Sequence, residues 1–252
     1  MDVKLIAHTR LSDEFLDEIY PIDESVGVNE RAAVALTAIR TCYSPLKPTE
    51  ILPTEGAKYF RREASDGEGG TDADRLFRHI WRSKHASTLE HITYTFAIEG
   101  VSRSLLAQLT RHRQFSFSVQ SQRYVRFGRD DKSGGFDYVT PPSITRDKRF
   151  NVGSFFEDDA ESLFDEAMAY IQAVYDRLRE AGVPAEDARY VLPNAAACNL
   201  VMTGNLRAYL EFYNKRRSGS GAQHEIANLA ERIREEITKV DEWTTKFFEG
   251  SE

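Results

Sequence analysis

The stretch "ITYTFAIEG", Ile92 to Gly100, constrains the fold more than any other part of the chain. Ile92, Tyr94, Phe96 and Ile98 alternate with Thr93, Thr95 and Ala97. That period of two predicts a half-buried strand. Such a strand needs neighbours to pair with and a layer to cover its apolar side. Helical periodicity supplies the layer. From Glu157 to Glu180, the residues Ala160, Leu163, Phe164, Ala167, Ile171, Val174, Tyr175 and Leu178 keep helical spacing, and Gly182 and Pro184 stop that helix.

Other elements have local punctuation. Asn29 caps "ERAAVALTAIR", and a helix follows from about Ala73 to Lys84. Ser102 caps a helix that turns Leu105, Leu106 and Leu109 inward; Gln108, Arg111 and His112 then share one face at i, i+3 and i+4. Gly204 opens "NLRAYLEFYNKRR", with Leu206, Tyr209, Leu210 and Tyr213 as its core stripe and Arg207, Glu211 and Asn214 as a polar one. A last helix from about Ala222 buries Ile226, Leu229, Ala230, Ile233, Ile237 and Val240. "VKLIAHT" and "ACNLVMT" read as further strands; "HASTLEH", the acidic "ASDGEGGTD" and "GRDDKSGGFD" read as loops, the last two mobile. Strands that are few and not regularly alternated with helices favour an α+β fold over a doubly wound sheet. The chain is expected to form a single domain over residues 1–252.

The chemistry begins with charge. The chain has a formal net charge of -7, yet Gly100 to Arg129 holds six arginines, no lysine and no acid. The net charge argues against bulk attraction to nucleic acid or an acidic membrane, so no nucleic acid and no membrane partner is expected. An anion must then be held by local positive charge. Arg suits this role, because its planar fork matches phosphate oxygens and stays charged when partly buried. Phe115, Phe117, Tyr124 and Phe127 interleave with the arginines, so part of the segment must be buried, and Ser116, Ser118 and Ser121 add short donors. Arg189, Arg207, Lys215, Arg216 and Arg217 form a second set. Two other readings stay open: a solvated basic face, and an RNA- or DNA-binding segment in which aromatics stack bases.

Exclusions narrow the field. No run of residues is long and apolar enough to span a bilayer, and "MDVKLIAHTR" does not read as a signal peptide. Cys42 and Cys198 are far apart, without metal-ligand spacing, which points to a reducing cytoplasm without disulfides. Cys198, in the apolar "AAACNLV", reads as inert, and Ser121 has no His–Asp partner in its own stretch. His85, Glu90 and His91 are poorly spaced for a metal, and no metal is expected.

"RHR", then "QFSFSVQ", then Ser121 resembles the signature of the flavin-dependent thymidylate synthases. "HASTLEHITYTF", "SQRYV", "ARYVLP", "MTGNLRAYLEF" with "NKRR", and "AQHEI" resemble that family's blocks in the same order, over most of the chain. The resemblance implies a central, mostly antiparallel sheet packed with helices. It implies conversion of dUMP to dTMP, with methylenetetrahydrofolate as carbon donor, FAD as cofactor and NADPH as reductant. It also implies a homotetramer with active sites shared between subunits, and no cysteine nucleophile.

Residue by residue, the resemblance sets Arg111, His112 and Arg113 beside FAD, with Arg111 also reaching the nucleotide. Ser87 and Glu90 match flavin contacts, His85 lies next to the redox centre, and Asn205 and Arg207 match a flavin-binding pair. Glu211 stands where the family often has Asn or His on FAD, and Cys42 where it often has Ser. For dUMP the matching positions are Gln108, Arg111, Ser121, Gln122, Arg123, Arg189 and Arg216. Ser121 and Arg123, two residues apart on an extended segment, would point together at the phosphate; Val119 and Gln120 before them depart from the family pattern. Arg216 is the catalytic candidate, stabilising negative charge that grows on the uracil ring. A flavoprotein acting on another substrate is the alternative that these departures leave open.

Overall fold

The computed structural model describes residues 1–26, 28–151 and 157–249, so the expected domain over 1–252 is covered except at 27, 152–156 and 250–252. In chain order the elements are β1 (Asp2–His8), α1 (Asp13–Val26), α2 (Glu30–Thr41), α3 (Pro48–Ile51), α4 (Ala57–Arg61), α5 (Asp72–Arg82), β2 (Thr93–Ser102), α6 (Arg103–Leu109) and β3 (Ser116–Val119). Then come β4 (Arg149–Asn151), β5 (Glu157–Asp159), α7 (Ala160–Glu180), α8 (Ala185–Ala188), β6 (Ala197–Asn205), α9 (Leu206–Arg216), α10 (His224–Val240) and α11 (Thr245–Phe248).

The main sheet has the order β1-β2-β6-β3. Contacts at the strand ends make it antiparallel. Thr9 N donates to Thr93 O at 3.0 Å, while Met1 lies beside Gly100. Likewise Leu206 N reaches Ile92 O at 2.8 Å and Arg103 N reaches Ala196 O at 3.0 Å. Gln120 N meets Asn199 O at 2.9 Å, and Phe115 lies against Gly204. The fold is α+β, as the alternation and helical stripes imply.

The chain condenses into two compact units, each assembled from separate segments: Met1–Asp2, Ile98–Arg111 and Phe117–Val201 form the first, and Val3–Ala97, His112–Ser116 and Met202–Glu252 the second. In the second unit the buried face of β2 meets α9. The Tyr209 ring packs 6.0 Å from Tyr94, 5.4 Å from Phe96 and 4.9 Å from Phe115. Its hydroxyl donates to Tyr94 O at 3.1 Å. Each such ring stabilises the fold by roughly 1.5–3 kcal/mol through burial. Phe212, 1% exposed, belongs to this core, whereas Tyr213 is only half-buried and gives its hydroxyl to Glu231. Asn29 caps α2 by accepting from Arg31 N and Ala32 N. A buried network closes the unit: Arg31 Nε meets Asp241 Oδ2 at 2.7 Å, and Tyr94 donates to the same carboxylate at 2.6 Å.

The acidic loop before α5 is tied down rather than loose. Arg78, 6% exposed, forks onto Asp66 at 2.8 Å, and Arg82 and Lys246 both reach Glu68. These partners hold the Asp66 and Glu68 carboxyls below the usual carboxylate range.

In the first unit, α7 starts three residues later than its periodicity predicts. Glu157–Asp159 instead pairs antiparallel with β4, and the Asp159 side chain caps the helix by accepting from Ser162 N. The buried line of α7 is Met168, Gln172 and Tyr175, while Leu163 is 49% exposed. A polar residue sits on that line because the facing loop has backbone groups to satisfy. Gln172 donates to Phe127 O at 2.8 Å and accepts from Phe136 N at 2.9 Å, and Tyr175 accepts from Phe127 N at 3.2 Å. The loop read as mobile is thus anchored on α7. Phe127, Tyr175 and Ala188 form the core there.

Candidate active site

Two residues past the end of α5, Lys84 adopts a left-handed φ of 60°. His85 N then bonds Ile80 O and Lys84 N bonds Trp81 O, both at 3.1 Å, the pattern usually closed by glycine. This turn launches Ala86–His91, which the sequence reads as a loop and which forms a tight 3-10 helix. Thr88 and Leu89 are buried, so Ser87 and Glu90 are presented outward. His85 is held by its Nδ1 on Tyr43 Oη at 2.9 Å.

Ser87 and Glu90 open onto a cleft of about 840 Å³ walled by Phe15, Val34, Ala38, Cys42, His91 and Asn205, among others. A contiguous recess of about 180 Å³ shares Glu90 and Asn205 with it and adds Gln114, Arg207, Ala208 and Glu211. Asn205 caps α9 through its side-chain oxygen, which accepts from Ala208 N. That cap aims the first turn of α9 at the recess.

Arg207 lies between two carboxylates. Its Nη1 is 2.6 Å from Glu90 and its Nε 2.9 Å from Glu211, and Gln114 donates to Glu211 at 3.0 Å. The hydrogen bonds that Arg207 donates to Glu211 and Glu90 raise its pKa above the ordinary value. All three side chains are about 34–44% exposed, so each pair contributes no more than about 1 kcal/mol.

His112 and Arg216 meet in the same unit. Arg216 Nε donates to His112 Nε2 at 3.0 Å. His112 is 9% exposed and faces the Phe212 ring edge-on at 5.0 Å. Burial, then the charges of Arg216 and Lys215, hold its pKa below the ordinary value. The shared face expected for Gln108, Arg111 and His112 does not form, because α6 stops at Leu109. The Thr110 hydroxyl bonds back to Leu106 O at 3.0 Å and Arg111 N to Gln108 O at 3.4 Å, which tightens the turn and sends His112 inward. Arg111 and Arg113 are exposed on either side of it.

In the first unit, Ser121 to Tyr124 is a turn, not the extended run expected. The Ser121 hydroxyl accepts from Arg123 N at 3.2 Å, and Gln122 is buried. Arg123 lies 3.1 Å from Glu186, and Arg189 Nε donates to Glu186 O at 2.9 Å. Phe115 and Phe127 are the buried part of the Arg/aromatic segment, and Tyr124 is 80% exposed. The six arginines are acid-free in sequence but not in space, because Glu186 pairs with Arg123 and Asp176 with Arg129. Glu186 and Gln114 are the contacts that the sequence reading missed; Gln114 was flagged only by adjoining the "RHR" motif. Of the expected substrate positions, Gln108, Arg111, Ser121, Gln122, Arg123 and Arg189 fall in this unit, and Arg216 falls in the other with every expected flavin position except Arg111.

Residues 26–242 match the profile of the family described as Thymidylate synthase complementing protein. A flavin-dependent thymidylate synthase of Nitratidesulfovibrio vulgaris is 44% identical over 205 residues, which cover 80% of this chain and 76% of that one. One of Clostridium tetani is 34% identical over 223 residues, covering 82% and 78%. The chain belongs to the flavin-dependent thymidylate synthase family.

Solved structures agree in fold. The UMP/dUMP methylase PolB of Streptomyces cacaoi, bound with 5-Br dUMP, superposes with a TM-score of 0.68 at 22% identity over 98% of this chain and 94% of its own. Thymidylate synthase X of Helicobacter pylori, with FAD and dUMP, gives 0.60 at 22% identity over 99% and 97%. A flavin-dependent thymidylate synthase needs a place for a flat, largely apolar ring system with a polar edge and a charged tail. The cleft has apolar walls in Leu11, Phe15, Val34 and Ala38 and polar groups in Thr37, Thr41, Ser87 and Asn205. With the Arg207 recess beside it, the donor set fits such a cofactor.

Proposed function

We propose that the chain is a flavin-dependent thymidylate synthase that methylates dUMP to dTMP, with methylenetetrahydrofolate as carbon donor, FAD as cofactor and NADPH as reductant. It works in the cytoplasm as a homotetramer whose sites are shared between subunits. One observation carries the reading. Cys42, Ser87 with Glu90, Gln114, and Asn205 with Arg207 and Glu211 are far apart in sequence and line a cleft and a neighbouring recess that share Glu90 and Asn205. Membership of the family and relatives at 34–44% identity support the same assignment.

FAD, when bound and reduced by NADPH, would supply the hydride, which the uracil receives at C6. The chain's own residues bind and orient. Ser87, Glu90, His112, Arg113, Asn205, Arg207 and Glu211 would hold the cofactor, with His85 beside it and Arg111 between cofactor and nucleotide. Gln108, Ser121, Gln122, Arg123 and Arg189 would take the nucleotide, Ser121 and Arg123 at its phosphate. Arg216 would meet the uracil oxygens, where a fixed guanidinium favours the transition state over the ground state by roughly 3 kcal/mol. Cys198 is 2% exposed within β6, which fits a reaction without a cysteine nucleophile.

The test is anaerobic. FAD-loaded protein is reduced, dUMP and methylenetetrahydrofolate are added, and flavin absorbance and dTMP are followed together. Reoxidation matched by dTMP is expected. Tight binding of both ligands without dTMP would mean a flavoprotein with another substrate. Failure to bind either would turn attention to RNA.

A further inference from the structure

Arg216 and His112 were singled out for different tasks, the one for chemistry and the other for the cofactor. Their geometry joins them. The donor is Arg216 Nε, 3.0 Å from Nε2 of the ring, so Nε2 carries no proton and the imidazole is the neutral Nδ1–H form. Among the described residues this is the one side-chain hydrogen bond of Arg216, and its two terminal nitrogens have no partner. The ring itself cannot swing away. It is 9% exposed, edge-on to Phe212 at 5.0 Å and tilted against Phe115 at 6.5 Å. Phe115 is in turn fixed by Gly204 and Tyr209.

We propose that His112 is a positioning residue for Arg216: it takes the Nε–H from behind and leaves the two-nitrogen fork of the guanidinium free for the substrate. This rests on the reading above that Arg216 meets the uracil. A guanidinium on a flexible stem loses rotamer freedom when it engages a ligand. A fixed acceptor at Nε takes up part of that ordering before the substrate arrives. The arrangement holds only while Nε2 is unprotonated, because an imidazolium would face Arg216 as donor against donor and charge against charge. The charged groups facing the ring are Arg216 and Lys215, both from α9 and both cationic, and the aromatic walls carry no charge. The alignment is therefore lost in acid and kept at neutral pH.

The test compares His112→Gln, whose amide oxygen can still accept from Nε without titrating, with His112→Phe, which keeps the packing and removes the acceptor. Assayed at saturating FAD, because His112 is itself among the expected cofactor contacts, His112→Phe is expected to lower kcat by roughly 10–100-fold, with KM for dUMP little changed. His112→Gln should keep most of the rate at neutral pH and lose the acid limb of the wild-type pH profile. In an Arg216→Ala background His112→Phe should add less than about a twofold loss, since coupled sites are not additive. A loss that repeats undiminished in that background, or one recovered by excess FAD, overturns the proposal. The 15N resonance of Arg216 Nε, assigned with Arg216→Lys, reads the pair without turnover. It should shift as His112 titrates and stand still in His112→Gln. A signal indifferent to pH overturns the proposal even in an active enzyme; a shifting one upholds the pair even where no dTMP forms, in which case the functional reading alone has failed.

Discussion

A methyl group built on Gly204 would lie 2.3 Å from Cδ1 and 2.6 Å from Cε1 of Phe115. No side-chain contact tolerates that approach, so the ring or the strand must move. Gly204→Ala is expected to cost about 1–3 kcal/mol, the usual penalty of overpacking, read as a lower urea midpoint. Adding Phe115→Leu should recover part of it. Because Phe115 also abuts His112, the single variant should lose activity beyond its loss of stability.

Asp241 is fully buried and receives Arg31, Tyr94 and the Trp243 ring nitrogen. Asp241→Asn keeps the shape and leaves Arg31 as a buried charge without its partner. The expected loss is about 3–5 kcal/mol, measurable by chemical denaturation. Tyr94→Phe removes one donor only and should cost about 1–2 kcal/mol.

Glu211→Asn should change stability by less than about 1 kcal/mol, because the Arg207 pairs are half-exposed. Its larger effect falls on the cofactor. With one carboxylate gone from Arg207, FAD affinity should rise by several-fold, followed by quenching of flavin fluorescence. An unchanged affinity would mean that Glu211 does not face the flavin.

Arg123→Ala should weaken dUMP binding while FAD stays bound, since Arg123 is an expected contact of the nucleotide phosphate and not of the flavin. Two titrations of the same variant check it. Equal loss of both ligands would refute the division of roles.

The pH dependence of stability has a definite sign. His112 is held below its ordinary pKa of 6.5 by burial and by Arg216 and Lys215. The unfolded chain then binds the proton more readily than the folded one, so the contribution of this site is full above 6.5 and is lost as pH falls toward the lower folded value. Urea midpoints of wild type and His112→Gln should run parallel near neutrality and diverge below about pH 6.5, with wild type falling faster.

What the sequence made legible was local. The alternation at Tyr94 and Phe96, the caps at Asn29 and Ser102 and the stripe of α10 from Ile226 to Ile237 each depend on neighbours within a few positions and are found as read, whereas Val240 at the end of that stripe is only half-buried. The helical face carrying Gln108, Arg111 and His112 failed for an equally local reason: the chain leaves the helix after Leu109, where Arg111 N turns back onto Gln108 O. The acid-free arginine window misled for a different reason. Glu186 lies 63 positions from Arg123, and Glu90 lies 117 from Arg207, so no linear reading could supply these partners. The π-helical turn Leu52–Gly56 was equally hidden, since its Pro53 gives no sign of which neighbouring helix it will join.

The interleaving of the two units bears on how the chain is made. The second unit takes residues 3–97, 112–116 and 202–252, so it cannot be completed until the last of these segments has been made. Until α9 leaves the ribosome, Tyr94 and Phe96 have no Tyr209 to cover them. The strand that most strongly dictates the fold is thus without its α9 cover while residues 103–216 are made, and nascent chains stalled before Met202 should be held by chaperones rather than by their own core.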